Sequence, residues 1–231
     1  MENNTEKKMT RKQRETKLRQ QIILEAAEKL FIAKGYEDTT MDEIANVSEF
    51  SKGTLYNYFN SKDELYLAIG IKAYKLIVEY TKKFTEKERP GIPQLMAVGY
   101  AYYEFSKDYP SYASIFHDIA VKIPDISTKP KENLTIIEQR YIKSSEEYRD
   151  VFLEVMKEAV KAKAIRSDKD PNLIGYILSM VTSGLVRDIM QSKHVLARLG
   201  LKADDIITFA FEVLAEGLKP RKQKQKNNGG K

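Results

Sequence analysis

The stretch Ser51-Lys-Gly-Thr-Leu-Tyr-Asn-Tyr-Phe-Asn-Ser-Lys-Asp-Glu-Leu65 decides the fold of this 231-residue chain. Its pattern predicts a short helix that ends at Phe59, a two-residue turn, and the capped start of a longer helix. Only Leu55 and Phe59, four residues apart, face inward in such a helix. Its other face is rich in hydrogen-bond donors, which suits the major groove of DNA. The alternative interpretation is an ordinary solvated helix face.

The residues before this stretch predict two more helices. Apolar residues recur at helical spacing from about Arg11 to Lys34, and Gly35 follows where a left-handed cap is expected. The capping box Thr40-Met-Asp-Glu43 begins a second helix that ends at about Val47. With the helix after Ser51, these form a predicted helix-turn-helix unit. The predicted inward-facing residues of the two helices are Ile22, Ile23, Ala26, Ala27, Leu30, Phe31, Ala33, Ile44, Ala45 and Val47.

The residues after it also show helical periodicity. A capping box at Ser61-Lys-Asp-Glu64 begins a long helix that stops before Pro90. Further helices are predicted for residues 93–107, 110–122, 132–164, 171–193 and 203–217, with a loop at 123–131 and a break near 143–147. Because no strand pattern is present, the predicted fold class is all-α, with about nine helices. The predicted domains are 1–60 (basic arm and helix-turn-helix), 61–218 (effector binding and dimerisation) and 219–231 (basic, disordered tail).

Charge is unevenly distributed along the chain. The net charge is +6, yet residues 1–19 carry +4 and residues 219–231 carry +6, which leaves −4 for the rest. Basic ends of this kind favour a polyanionic partner, most often nucleic acid. The chain has no cysteine, which is consistent with a cytoplasmic protein. We expect no signal peptide, and no membrane partner, because no apolar run approaches the ~18 residues that span a bilayer.

Residues 22–69 resemble the N-terminal domain of TetR/AcrR-type transcriptional regulators. The resemblance is carried by Phe31, Gly35-Tyr36, Thr39-Thr40, Ile44-Ala45 and the stretch from Ser51 to Leu65. The region from Ala164 through Leu185 is similar to the C-terminal part of many members. In two places the chain differs from the family pattern: Glu49 holds a turn position usually occupied by glycine, and Lys163 replaces a small residue.

The resemblance implies roles for individual residues of the helix-turn-helix unit. Thr40, Lys62 and Tyr58 are expected to contact phosphate. Lys52 is expected to bond guanine and Asn57 to bond adenine, while Thr54 offers a hydroxyl and a methyl group. Gly53 lets the backbone approach the groove, and Tyr56 contacts phosphate or sugar. In the basic arm, Arg11, Arg14 and Lys17 are candidate DNA contacts, whereas no role is assigned to the C-terminal tail.

The resemblance also implies an effector site and a dimer. The aromatic stretch 100–117 is either ordinary core or the lining of a pocket for an apolar or aromatic effector. The candidate pocket residues are Tyr100, Tyr103, Tyr112, Phe116, His117, Phe152, Met156 and Ile177. The last two long helices are expected to form a four-helix homodimer interface. Its candidate residues are Ile174, Leu178, Val181, Leu185, Phe209, Val213 and Leu214.

Catalytic chemistry has little support in the sequence. Two histidines, the absence of cysteine and the lack of a glycine-rich phosphate loop leave no catalytic residue, metal site or cofactor predicted. The resulting prediction is a ligand-responsive regulator, most often a repressor in this family, that binds a palindromic operator as a homodimer. The alternative is a helical small-molecule-binding or enzymatic domain whose N-terminal helices contact another protein.

Overall fold

The computed structural model describes residues 9–123 and 125–220, which form ten α-helices and no strand. The all-α prediction is therefore confirmed, although one more helix is present than predicted. The helices are α1 (Arg11–Lys34), α2 (Met41–Val47), α3 (Lys52–Tyr56), α4 (Lys62–Thr85), α5 (Ile92–Asp108), α6 (Pro110–Lys122), α7 (Ile136–Lys161), α8 (Pro171–Gln191), α9 (Lys193–Leu199) and α10 (Ala203–Leu218). A short 3-10 helix at Ile126–Thr128 lies where a loop was predicted, and a second at Lys131–Asn133 lies at the predicted start of α7, which begins at Ile136 instead.

The bounds of α1 and α2 are those predicted from the sequence. The Thr40 hydroxyl accepts from the Glu43 N–H, and the Glu43 carboxylate accepts from the Thr40 N–H, which completes the predicted capping box. Gly35 ends α1 with φ +83° and ψ 174°, so the positive φ is confirmed but the conformation is not the left-handed helical one. Three residues predicted to face inward do not, since Ile22, Ala33 and Val47 are exposed.

Two other predicted features of the helices need correction. At the start of α4 the Ser61 hydroxyl accepts from the Glu64 N–H, but the Glu64 carboxylate accepts from the backbone of Asn60 rather than Ser61. The predicted break near 143–147 is absent, because α7 continues through it. This segment has no proline or glycine, and most of its polar side chains lie on the solvent side, so nothing interrupts the helix. The missed helix α9 is short and ends at Gly200, with φ +68°.

The chain divides into two compact units. Unit 1 comprises the residues up to Ala73 together with Ser114–Lys143, and unit 2 comprises Tyr74–Ala113 together with the residues from Ser144 onward. The sequence placed a boundary near residue 60, whereas this division falls inside α4 and assigns the second part of α6 to the unit of the helix-turn-helix. The basic residues at 1–8 and 221–231, including most of the predicted tail, lie outside the described residues.

The core of unit 1 fixes the positions of the first four helices. Ile23, Ile44 and Leu55 have no exposed surface, and they come from α1, α2 and α3. The Tyr66 ring of α4 packs edge-on against Phe31 of α1, with 4.9 Å between ring centroids. Burying each of these large side chains contributes roughly 1.5–3 kcal/mol. The short helices α2 and α3 are therefore held by tertiary packing rather than by helix propensity.

The second part of α6 and the start of α7 also pack on α4 within unit 1. The Tyr66 hydroxyl donates to Asp118 at 3.4 Å. At Gly70 a Cβ atom would lie 2.4 Å from Cδ1 of Ile119 and 3.0 Å from Cε2 of Tyr141. Only glycine allows this close approach of three helices.

Unit 2 has a separate core. Its buried apolar residues come from α5, α7, α8, α10 and the connection between α7 and α8, and are Leu95, Val98, Val155, Met156, Ala159, Ile165, Ile174, Leu178 and Leu218. Gly175 lets α8 approach α7, because a Cβ there would lie 2.9 Å from Cε1 of Phe152. Gly175 therefore gives α8 a close contact with another helix of its own chain.

Candidate nucleic-acid interface

The helix α3 is held by its cap and by one buried side chain. Ser51 accepts a hydrogen bond from the Thr54 N–H at 3.1 Å, and the two hydroxyl oxygens lie 2.8 Å apart. Leu55 is fully buried on the opposite face. Around this anchor, Lys52, Gly53 and Tyr56 are exposed. The arrangement presents a polar surface that is fixed from behind.

The helix ends three residues earlier than predicted, at Tyr56 rather than Phe59. The next residues nonetheless continue a hydrogen-bonded turn, because the N–H groups of Tyr58 and Phe59 both donate to the Leu55 carbonyl at 3.0 Å. Asn57 is exposed and Tyr58 is half-buried, while Phe59 is buried in the core. Asn57 and Tyr58 therefore extend the surface that α3 begins.

Gly53 leaves the middle of this surface open. A Cβ atom at this position would meet nothing closer than the Ser51 hydroxyl oxygen at 4.0 Å, so packing within the chain does not require glycine here. A ligand backbone can approach this point closely because no side chain covers it. Thr54 differs from the prediction in part, since its hydroxyl is engaged in the cap and only its remaining surface is available.

An ion pair links α3 to α2 on the same surface. The Lys52 Nζ lies 2.7 Å from Oδ1 of Asp42, and both side chains are more than half exposed. The hydrogen bond that Lys52 donates to Asp42 raises the pKa of Lys52. Sequence reasoning assigned Lys52 to the interface but missed Asp42. The available signal was its place as the second residue of a capped helix that precedes α3.

Thr40 stands at the N-terminus of α2. Besides capping the helix, its hydroxyl donates to Oε2 of Glu43 at 2.9 Å. The other Glu43 oxygen pairs with Lys34 of α1, and these bonds lower the pKa of Glu43 to about 2. The start of α2, where N–H groups can meet an anion, is thereby tied to the end of α1.

Lys62 has a second role that the sequence did not reveal. Its Nζ donates to the carbonyl oxygens of Tyr36 at 2.8 Å and Glu37 at 3.4 Å, and it lies 4.1 Å from the centre of the Tyr36 ring. The Tyr36 hydroxyl in turn donates to Asp63, which together with burial raises the pKa of Tyr36. Lys62 therefore fastens the start of α4 to the end of α1 in the free protein.

The candidate arm residues lie in the first turns of α1. Arg11, Arg14 and Lys17 are all exposed, within a run of exposed residues from Arg11 to Gln21. Thr10 and Gln13 form a capping box that starts the helix. The described part of the basic arm is therefore an exposed segment of helix α1.

The candidate effector residues are divided between the two units. In unit 2, Tyr100 packs edge-on against Phe211 with centroids 4.8 Å apart, and the Tyr103 hydroxyl donates to Asp204 at 2.6 Å. Met156 is buried in the core of unit 2, where Phe152 packs against it. Tyr112 is half-buried, with its ring 6.1 Å from that of Tyr109. Phe116 and His117 belong to unit 1 and are half-buried.

Ile177 differs from the other candidate pocket residues because 46% of its surface is exposed. Its assignment to an enclosed pocket is therefore wrong, and it lies on the outer face of α8. A different set of tyrosines does meet inside unit 2. The rings of Tyr74 and Tyr148 lie 6.2 Å apart, and burial raises the pKa values of Tyr148 and Tyr102.

The candidate dimer residues fall into two groups. Ile174 and Leu178 are at most 7% exposed in the chain's own core, so their assignment to the interface is wrong. Leu185 and Leu214 are half-buried. Val181, Phe209 and Val213 are 41, 67 and 55% exposed. Further exposed apolar residues on α8 were missed, although their three- and four-residue spacing was a usable signal. Together they form what we call the apolar face: Leu173, Tyr176, Ile177, Met180, Val181, Phe209 and Val213.

The helix α8 is also long and apolar enough to cross a membrane, by length and composition alone, which the sequence analysis did not anticipate. A core or interface helix passes the same test. In unit 2 one side of α8 is buried against α5 and α10, and its other side contributes to the apolar face. Within the described part of the chain, no three His, Asp or Glu side chains come together as a potential metal site.

Comparison with known proteins identifies this arrangement. Residues 23–69, which include α2, α3 and the start of α4, match the family model for bacterial regulatory proteins of the tetR family. This N-terminal region is therefore similar to the helix-turn-helix domain of tetR-family proteins. The chain is a helix-turn-helix transcriptional regulator, and tetR-family proteins bind DNA and small-molecule effectors. The relatives are transcriptional regulators rather than enzymes.

Two curated relatives show how similarity is distributed. The uncharacterised HTH-type transcriptional regulator YhgD of Bacillus subtilis (strain 168) is 29% identical over 177 residues, or 74% of this chain and 83% of that protein. The HTH-type transcriptional activator FasR of Mycolicibacterium smegmatis is 32% identical over 110 residues, or 47% of this chain and 50% of that protein. The chain thus aligns with only half the length of FasR.

Among solved structures, the regulator FadR of Bacillus subtilis in complex with stearoyl-CoA has the same fold. Its TM-score is 0.60 at 15% sequence identity, and the match covers 86% of this chain and 98% of that one. This likeness is one of fold, and it covers most of the chain.

Proposed function

We propose that this protein is a homodimeric repressor of the tetR family that binds a palindromic operator and is released by a small apolar or aromatic effector. The observation that carries the DNA-binding part is the surface of α3, where exposed donors surround an open Gly53 and are anchored from behind by Leu55. Such a helix fits the major groove in width and chemistry.

The individual roles follow from this placement. Lys52 and Asn57 contact base edges, with the surface of Thr54 beside them, and Gly53 admits close approach. Thr40, Tyr56 and Tyr58 contact phosphate or sugar at the rim. Lys62 contacts phosphate only by exchanging its bonds to the carbonyls of Tyr36 and Glu37, so its first effect is to position α4. The arm residues Arg11, Arg14 and Lys17 add contacts to phosphate.

A second copy of the chain covers the apolar face of unit 2. Tyr176 and Phe209 are each 67% exposed and lie among other exposed apolar side chains. A contiguous exposed apolar patch of this kind is typical of a protein–protein interface. An isologous contact through α8 and α10 gives a four-helix interface. Two-fold symmetry then presents two copies of α3 to successive major grooves, and so requires a roughly palindromic site.

The effector is proposed to bind in unit 2, among aromatic side chains that include Tyr74 and Tyr148. FadR, which shares the fold, is described with stearoyl-CoA, and that complex supports an apolar ligand as a class. The effector favours a spacing of the two α3 helices that does not match the operator, so DNA affinity falls when it binds. The protein acts in the cytoplasm, and no catalytic step is part of this proposal.

Binding to duplex DNA as a function of salt tests the proposal. A protein that neutralises several phosphates loses affinity steeply as salt rises, with a log–log slope of about −0.9 for each phosphate. The full chain is titrated onto a duplex enriched from a random library by the protein itself. The variant Gly53→Glu places a negatively charged side chain at the open position on α3 and is expected to abolish binding. The variant Glu212→Gln, at an exposed position of α10, is expected to retain it.

The alternative function, a helical enzyme or binding domain whose N-terminal helices contact protein, makes the opposite prediction. It gives no salt-dependent duplex binding, and the Gly53→Glu variant then retains every activity of the chain. Failure of the wild-type protein to bind duplex DNA at low salt would refute the repressor proposal.

A further inference from the structure

The surface proposed to meet DNA carries one negative side chain beside its principal positive one. Asp42 is the second residue of α2 and Lys52 is the first of α3, and 2.7 Å separates Oδ1 from Nζ. Their side chains are 64% and 56% exposed. The pair therefore bridges the two helices of the helix-turn-helix unit at its surface, where both groups remain accessible to a partner.

This pair changes what Lys52 can do. An ammonium group has only hydrogen-bond donors, so a phosphate oxygen that approaches Lys52 must compete with the carboxylate already bonded to it. The same carboxylate repels phosphates nearby. Non-specific affinity depends on the number of cationic side chains that neutralise phosphates. Because Asp42 already neutralises part of the charge of Lys52, Lys52 contributes less to non-specific affinity.

A G·C base pair affects the two side chains differently. In the major groove, guanine offers the acceptors O6 and N7, and cytosine offers the N4 amino donor beside them. Lys52 can donate to guanine while Asp42 accepts from cytosine, so both charges gain partners and neither is left facing the duplex alone. A phosphate satisfies Lys52 only. The pair thus discriminates between a base edge and the DNA backbone.

We propose that Asp42 is a specificity-determining residue, which holds Lys52 back from non-specific phosphates and joins it in recognising a G·C base pair. This inference rests on the proposed role of α3 in DNA binding. It assigns to Asp42 a contribution to selectivity rather than to affinity, because removing its negative charge strengthens attraction to any duplex.

The test compares the full wild-type chain with Asp42→Asn on two duplexes of equal length. One is enriched from a random library by the wild-type protein, and the other has the same composition in scrambled order. We expect the variant to bind the scrambled duplex about two- to fivefold more tightly, the range for release of an exposed ion pair. Binding to the enriched duplex does not tighten in proportion, so the ratio of the two affinities falls.

Two further variants separate selectivity from net charge. Asp38→Asn makes the same charge change at an exposed position between α1 and α2, and leaves the pair with Lys52 intact. It is expected to tighten binding to both duplexes equally. In a Lys52→Met background, Asp42→Asn is expected to lower the affinity ratio by a smaller factor than in the wild-type chain, since the part of its effect that acts through Lys52 is gone. Circular dichroism and thermal unfolding of each variant check that α2 and α3 remain folded.

The outcomes distinguish this inference from the function on which it rests. If the wild-type chain binds neither duplex, both fail. If the wild-type chain discriminates but Asp42→Asn behaves as Asp38→Asn does, the inference fails and the proposed function stands. An effect of Asp42→Asn on the ratio that is equally large without Lys52 also overturns the pairing.

Discussion

Two surfaces of the molecule contrast: the polar surface of α3 in unit 1 and the apolar face of α8 and α10 in unit 2. Both rest on a buried core, since Leu55 under α3 and Leu178 under α8 are almost fully enclosed. They differ in what they expose. Lys52 and Asn57 leave donors in solvent, whereas Tyr176 and Phe209 leave large apolar rings there. The first surface suits a polyanion, and the second suits a copy of itself.

The contrast shows that burial and exposure carry different information. In both units the inward-facing residues can be replaced by other apolar residues of similar volume, because a core requires mainly apolar volume in the right pattern. Exposed residues are not constrained by the fold and so reflect the partner. The match to the tetR family model covers residues 23–69, which include the surface proposed to bind DNA. Substitutions on the apolar face are expected to have larger effects than substitutions on the polar surface of α3.

The largest effect is expected at the apolar face. Phe209→Glu places a carboxylate in the proposed interface, where burying an unpaired charge costs several kcal/mol, so the dimer dissociation constant rises by more than about a hundredfold. Sedimentation at micromolar concentration then shows a monomer, and operator affinity falls with it. Val121→Glu is the matched control, since Val121 is 70% exposed but lies on α6 of unit 1. A dimeric Phe209→Glu variant would contradict this assignment.

The next effect concerns the surface of α3. Asn57→Ala is expected to lose roughly 1–3 kcal/mol of discrimination at one base pair, as measured by competition between single-base variants of the enriched duplex. Tyr58→Phe removes one proposed phosphate contact, and so weakens binding to all of these duplexes by the same factor. If Asn57→Ala discriminates as the wild-type protein does, Asn57 makes no base contact.

A smaller effect is expected where both units hold a non-glycine residue at positive φ. Glu49 in unit 1 has φ +59° and Lys163 in unit 2 has φ +51°, a conformation that costs an L-residue roughly 1–2 kcal/mol. Glycine relieves this strain but adds flexibility to the unfolded chain, at a cost of about 0.5–1 kcal/mol.

Glu49→Gly and Lys163→Gly should therefore each raise the free energy of unfolding in urea by up to about 1 kcal/mol. Gly200→Ala, at φ +68°, should lower it. Equal gains in the two units would show that the strain is local. A loss of stability in Glu49→Gly would instead show that the Glu49 side chain makes a stabilising contact.

The smallest expected effect is a loss of stability of unit 1 as the pH falls below 4.5. The pKa of Glu43 is lowered from 4.5 to about 2 by its bonds to Lys34 and Thr40, so its stabilisation is present above pH 4.5 and is lost as the pH falls towards 2. Thermal unfolding between these values should depend less on pH in Glu43→Gln than in the wild-type chain. Glu37→Gln, at an exposed position, serves as the control.

Much of the fold could be predicted because the helix ends carry local signals. Thr40 and Pro171 mark helix starts correctly, since a side-chain cap and a fixed φ act over a few residues. Polar composition misled at 143–147, because a polar run inside a helix does not break it when the residues face solvent. The short helix α9 was missed because its seven residues have too weak a pattern.

The candidate sites were predicted unevenly for a similar reason. The position of Lys52 follows from a local motif, but its pairing with Asp42 joins two helices and has no local signature. The same holds for Lys62, whose partners lie at Tyr36 and Glu37. For α8, periodicity identified the apolar residues but did not show which side of the helix faces the chain's own core. That side is the one that carries Leu178, whereas Met180 is exposed.

The sequence by itself determined the all-α class, most helix bounds and the motif from Ser51 to Leu65, because these depend on caps, periodicity and contacts within a few residues. Only the tertiary structure decided how those residues are used. It placed Asp42 against Lys52, turned Ile174 inward and left Phe209 exposed. These outcomes depend on which helix packs against which, and that is a property of the whole chain. The motif at Ser51 therefore indicates DNA binding, while the selectivity proposed above depends on Asp42, which the motif does not contain.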